Sequence, residues 1–113
     1  MNDTLKAVVI EVSGGNVRNH HINLRGAFGL FPDSALGGTN ESSAGMPVKV
    51  MFGHEKVETD IDEGKAIFRE RGAIRRFFEA ENMIEGDLVL VERLEDGTYE
   101  VRKASKRGFN NYL

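Results

Sequence analysis

Residues 65–103, KAIFRERGAIRRFFEAENMIEGDLVLVERLEDGTYEVRK, constrain the fold most, because the hydrophobic period switches there from two to 3.6 and back to two. Residues 65–70 alternate, with Ala66 and Phe68 facing one way and Ile67 and Arg69 the other, which predicts a strand. Gly72 breaks that pattern. From Ala73 the apolar residues Ile74, Phe77 and Phe78 recur at i, i+3 and i+4, predicting a short helix with one buried stripe and an Arg75–Glu79 pair on its wet side. Asn82 suits the left-handed conformation that closes a helix, and Met83 and Ile84 are expected to fold back over its last turn. Glu85-Gly86-Asp87 then turns the chain into Leu88-Val89-Leu90-Val91, a strand apolar on both faces. Asp96-Gly97 predicts a two-residue type I′ hairpin, and Tyr99, Val101 and Lys103 alternate along the return strand.

Upstream, residues 5–12 read as a strand with Val8, Ile10 and Val12 on one face. Ser13-Gly14-Gly15-Asn16 reads as a turn, and residues 20–25 as a second strand with Ile22 and Leu24 inward and His21, Asn23 and Arg25 outward. The two strands form a protruding hairpin arm. Its glycines let backbone approach a partner closely, and Asn16, Arg18, Asn19 and His20 offer groups that reach phosphates or base edges. Residues 26–36 gather Phe28, Leu30, Phe31 and Leu36 around Pro32-Asp33-Ser34, predicting another short helix with proline in its first turn. Residues 39–45 form a polar loop without assignable chemistry. Residues 46–52 and 56–62 alternate as two half-buried antiparallel strands, the first with Val48, Val50 and Phe52 on one face, the second with Val57, Thr59 and Ile61 opposite Glu58, Asp60 and Asp62. The sum is an α+β domain, mainly β, of about seven short strands and two short helices over residues 1–104. Residues 105–113, with Phe109 and Tyr112 in polar surroundings, read as a tail or linker.

Composition narrows the setting. The chain has no cysteine, which predicts a reducing, cytoplasmic location without disulfides or thiolate metal sites. No apolar run approaches bilayer length, and residues 1–6 are too polar for a signal peptide, so no membrane partner is expected. The net charge of −3 alone argues against nucleic acid, whose non-specific binding comes from phosphate neutralisation. Distribution reverses that inference. Lys65, Arg69, Arg71, Arg75 and Arg76 cluster against Glu70 alone, while acids collect in 55–63 and 79–96, which fits one basic face on an acidic body.

Two catalytic patterns come into question. Pro32-Asp33 with Glu63-Gly64-Lys65 matches the spelling of a Mg²⁺-dependent nuclease, in which Asp33 and Glu63 hold the metal and Lys65 orients the attacking water. That spelling is degenerate, and Glu63-Gly64 reads as a turn between antiparallel strands. His20 and His21 point to opposite faces of a strand, so they and His54 do not make a metal site. No serine or histidine has a nucleophile's setting.

The order helix, asparagine, apolar pair, Gly-Asp and apolar strand in residues 72–91 resembles the second half of the B-three DNA-binding domain of plant transcription factors. HINLRGAFGLFPDSA with KAIFRERGAIRRF is similar to the N-terminal effector-DNA-binding domain of EcoRII-type restriction endonucleases, which shares the same pseudobarrel fold; the two likenesses span residues 5–104. The resemblance implies a seven-stranded open pseudobarrel that binds double-stranded DNA sequence-specifically through two arms in the major groove. Here the arms fall at residues 13–20 and 60–65, the second short and acidic where the EcoRII relatives have a long basic one. On that reading Arg18, Arg69, Arg71 and Arg75 contact phosphates or guanine, Asn16, Asn19 and His20 contact base edges, Asp62 or Glu63 accepts from cytosine, and Arg25 and Lys65 complete the DNA-binding set. The implied role is the effector or target-recognition domain of a restriction-endonuclease-like protein, non-catalytic and without a cofactor or small-molecule substrate. A nuclease domain or subunit is the expected companion. A protein-interaction barrel using the exposed basic strand is the other alternative.

Overall fold

The structure, a computed structural model, describes residues 6–104. Its strands are β1 (Ala7–Glu11), β2 (Leu36–Gly37), β3 (Val48–Phe52), β4 (Glu55–Thr59), β5 (Ile61–Asp62), β6 (Ile67–Phe68), β7 (Leu88–Arg93) and β8 (Tyr99–Ala104). Two α-helices, α1 (Gly14–Asn19) and α2 (Arg71–Ala80), and three single 3₁₀ turns complete the fold. The strands form two sheets, one ordered β1-β7-β8-β3-β4 and a smaller one ordered β2-β5-β6. The domain is therefore α+β and mostly strand, as expected, with eight strands in place of seven. The β3–β8 and β2–β5 pairs are parallel, and the other four are antiparallel.

Alternation in sequence puts Val50 and Phe52 of β3, Val89 and Val91 of β7, and Tyr99 and Val101 of β8 into one core. A chain of rings crosses it. Phe77 of α2 meets Phe52, Phe52 meets Phe68 edge-on at 5.1 Å, Phe68 meets Phe31, and Phe31 stacks on Tyr99 at 4.7 Å. The Tyr99 hydroxyl donates to the Leu30 carbonyl at 2.7 Å, so the buried phenol is satisfied. Helix α2 buries Ala73, Ile74, Phe77 and Phe78, as its period predicts. Asn82 closes it with φ 51.

Several local expectations are corrected. Residues 13–25 are not a hairpin arm: Ser13 and Asn16 form a reciprocal capping box, each side chain taking the other's backbone N–H at 3.0 Å, and this starts α1. Residues 21–24 are not a strand. Their tie to the body is the Leu24 N–H on the Ala66 carbonyl at 2.8 Å. The predicted strand 65–70 shrinks to β6, because Ala66 adopts φ 59 and ends the alternation. Gly72 sits within the first turn of α2, where the Glu70 carboxylate accepts its N–H. Arg75 and Glu79 share the exposed side of α2 without forming an ion pair.

Residues 26–36 make two 3₁₀ turns, Phe28–Leu30 and Asp33–Ala35, with Pro32 in extended conformation between them. Residues 56–62 break at Asp60, which assigns β4 and β5 to different sheets. Met83 folds onto the core, but Ile84 is 65 % exposed. The β7–β8 turn has positive φ at Gly97 and not at Asp96. Gly97 N–H reaches the Leu94 carbonyl and Leu94 N–H the Thr98 carbonyl, which makes a three-residue loop with a bulge. The tail at 105–113 lies outside the described residues, and no described helix is long and apolar enough to cross a membrane.

Candidate nucleic-acid interface

Two segments far apart in sequence meet at the C-terminal end of α1. The last carbonyls of a helix lack intrahelical donors, and here the Arg71 guanidinium supplies one, with Nη2 donating to the Asn19 carbonyl at 2.9 Å. His20 follows in the left-handed conformation, φ 58, and His21 donates its backbone N–H to the Asn16 carbonyl at 2.9 Å. The Leu24–Ala66 bond then fastens this segment to the turn of residues 63–66.

That turn is fixed from within. The Asp62 carboxylate accepts the Lys65 N–H at 3.1 Å, its carbonyl accepts the Ala66 N–H at 2.8 Å, and the Glu63 N–H donates to the Gly37 carbonyl at 3.0 Å. Lys65 is thereby held, exposed, near enough to act on His21, as Arg71 and His20 also do, and Arg75 follows one helical turn after Arg71. Among the described residues, no carboxylate lies within ion-pair distance of Lys65, Arg71 or Arg75. Burial, and then the charges of Arg71, Lys65 and His20, hold the His21 imidazole below the ordinary histidine range.

Other expected contacts are spent inside the protein. Arg69 pairs with buried Asp60. Asp62, 4 % exposed, holds its own turn and is unavailable to cytosine. Asn16 caps α1. The Arg18 guanidinium lies back along α1: a Cβ at Gly14 would meet its Nη1 at 3.2 Å and the Glu85 carboxylate at 2.9 Å. Arg76 pairs with Glu55 at 2.7 Å. Arg25 is exposed on a separate turn after Leu24, where its backbone N–H donates to the Asn23 side-chain carbonyl. Glu63 is exposed at the tip of its turn.

The nuclease spelling is split, with Glu63 and Lys65 in one turn and Asp33 apart from them. Asp33 precedes β2 and Glu63 follows β5, so they stand at opposite ends of that parallel pair. No three of His, Asp and Glu among the described residues converge on a point where a metal ion would sit.

Asn19, His20, Lys65, Arg71 and Arg75 are the predicted site residues that the fold brings together. Sequence reasoning missed His21, which it assigned to the outer face of a strand. The helical turn that precedes His21 is too short to leave a period. No protein-family model matches the chain, and no curated protein matches it.

Proposed function

We propose that this chain is a non-catalytic module that binds double-stranded DNA sequence-specifically, built as an open pseudobarrel with the chain of aromatic rings in its core. One observation carries the reading: α1, the 63–66 turn and α2 pool Lys65, Arg71, Arg75, His20 and His21 on one face, with no carboxylate paired to the three strong cations among the described residues, in a protein of net charge −3. Unpaired cations on an acidic body favour a polyanion at that face and disfavour non-specific coating elsewhere. Lys65, Arg71 and Arg75 contact the phosphates, and Asn19 and His20, at the exposed end of α1, read base edges. The expected biological context is the target-recognition part of a restriction-endonuclease-like system.

The test is selection from a random duplex library in EDTA, followed by gel shift with the enriched sequence. Enrichment of one sequence, with supercoiled plasmid left uncut in Mg²⁺ or Mn²⁺, is the expected result. Failure to enrich any duplex removes DNA recognition and favours the protein-interaction barrel; metal-dependent cutting abolished by Glu63→Ala favours the nuclease.

A further inference from the structure

His21 is surrounded by charges of the sign it would itself acquire. The groups acting on it are Arg71 from α2, Lys65 from the 63–66 turn and His20 from the end of α1, with no carboxylate among them. Its Nε2 is closed to solvent and has no hydrogen-bond partner among the described residues. A buried polar group without a partner is uncommon and costly, and among the described residues the groups that act on an imidazolium here are all basic. Burial and these neighbouring charges favour the neutral ring in the free protein. A phosphate brought against Lys65 and Arg71 reverses the field at the ring, because a nearby anion favours the charged form.

We propose that Lys65 and Arg71 clasp one backbone phosphate of bound duplex and that His21 takes up one proton from solvent when they do, so that binding is proton-linked. The identity of the anion rests on the duplex reading above. The only bond formed is N–H on the imidazole, and the buffer supplies the proton. Because a bound phosphate favours the charged ring, the His21 titration midpoint is higher in the complex than in the free protein. Affinity therefore rises as pH falls through the window between the free and bound midpoints, and is independent of His21 above both. The gain approaches tenfold per pH unit at most within about pH 5 to 8, where histidine titrates.

Two measurements test this. The first is an NMR titration of the imidazole signals with and without sulfate, a tetrahedral anion that does not itself titrate in this range. Sulfate should raise the His21 midpoint and leave His54, on the β3–β4 turn, unmoved. Lys65→Gln should raise the His21 midpoint of the free protein and shrink the sulfate effect. The second is calorimetry of the selected duplex in buffers of different ionisation enthalpy. Wild type and His54→Gln should take up about one proton near the His21 midpoint, and His21→Gln should take up none. An unmoved His21 midpoint in sulfate, or a pH dependence that survives in His21→Gln, would overturn the proposal. If no duplex binds but sulfate still shifts His21, the DNA reading falls and the anion site stands.

Discussion

Arg69 and Asp60 form a two-pronged ion pair, Nε to Oδ1 at 2.6 Å and Nη2 to Oδ2 at 2.9 Å, that faces the inside of the protein. Asp60 is 4 % exposed. Its Oδ2 also accepts the Gly45 N–H at 2.7 Å, while the Arg69 guanidinium reaches the carbonyls of Gly38, Thr39 and Asn40. The pair thus pins the 38–45 loop to the break between β4 and β5. Close packing there excludes side chains: a Cβ at Gly37 would lie 2.3 Å from Gly45 N and 2.5 Å from Asp60 Oδ2.

Arg69→Ala leaves the Asp60 carboxylate buried without its partner. Breaking a buried pair from one side costs about 3 to 5 kcal/mol. Urea denaturation should show a loss of that size. A change near zero would mean that Asp60 reaches water when Arg69 is removed.

The same pair sets an acid limit on stability. Burial pushes the Asp60 carboxyl up, but hydrogen bonds from Arg69 and the Gly45 N–H, together with the Arg69 charge, outweigh it and hold the group below the ordinary carboxylate range. A depressed folded-state pKa stabilises fully above the unfolded value, about 3.9, and that stability is lost as pH falls through the folded value. Melting temperature followed from neutral to acid pH should drop in that window, and Asp60→Asn should flatten the drop while lowering the neutral plateau. An equally steep acid limb in Asp60→Asn would assign it to other carboxylates.

Phe77 and Arg75 are two residues apart on α2 but face opposite ways, Phe77 against Phe52 and Gly53 and Arg75 into solvent. Phe77→Ala should cost about 3 to 5 kcal/mol, the range for an aromatic lost from a core. Arg75→Ala should leave the denaturation midpoint in place. Similar losses from both would mean that the helix is rotated about its axis.

This face was legible because α2 is long enough to show a period, and Asn82 and Gly97 because few residues accept positive φ. What escaped has common physical causes. α1 is a single short helix held by its cap, so Gly14 and Gly15 looked like a turn. Ala66 takes a left-handed conformation that its side chain does not advertise, and this displaced the strand expected at 65–70. Arg69 looked like one more cation in a basic run, since its acid partner is nine residues away and its carbonyl partners lie in the 38–45 loop. Whether a charge is spent inside the protein is a tertiary property.

Asn16 distinguishes capping from reading. Its side chain accepts the Ser13 N–H at 3.0 Å, and Ser13 reciprocates, so Asn16→Ala removes half of the capping box. The expected loss is about 1 kcal/mol of stability, with the ratio of affinities for selected and scrambled duplexes unchanged. A collapse of that ratio at unchanged stability would return Asn16 to the base-reading set.

The division of labour among the cations gives the last prediction. A side chain that neutralises one phosphate releases condensed counterions, so deleting it lowers the log–log salt slope of binding by about 0.9 for duplex DNA. Lys65 and Arg71 are unpaired with any described carboxylate and stand together on the proposed face, whereas Arg69 is spent on Asp60. Lys65→Ala and Arg71→Ala should therefore each flatten the slope by about that amount and weaken selected and scrambled duplexes alike. Arg69→Lys, which keeps the charge next to Asp60, should leave the slope unchanged. Asn19→Ala, at the exposed end of α1, should cost about 1 to 3 kcal/mol against the selected duplex alone. Fluorescence anisotropy over a range of salt concentrations with both duplexes measures all four. A salt slope that responds to Arg69→Lys but not to Arg71→Ala would move the phosphate contacts off this face.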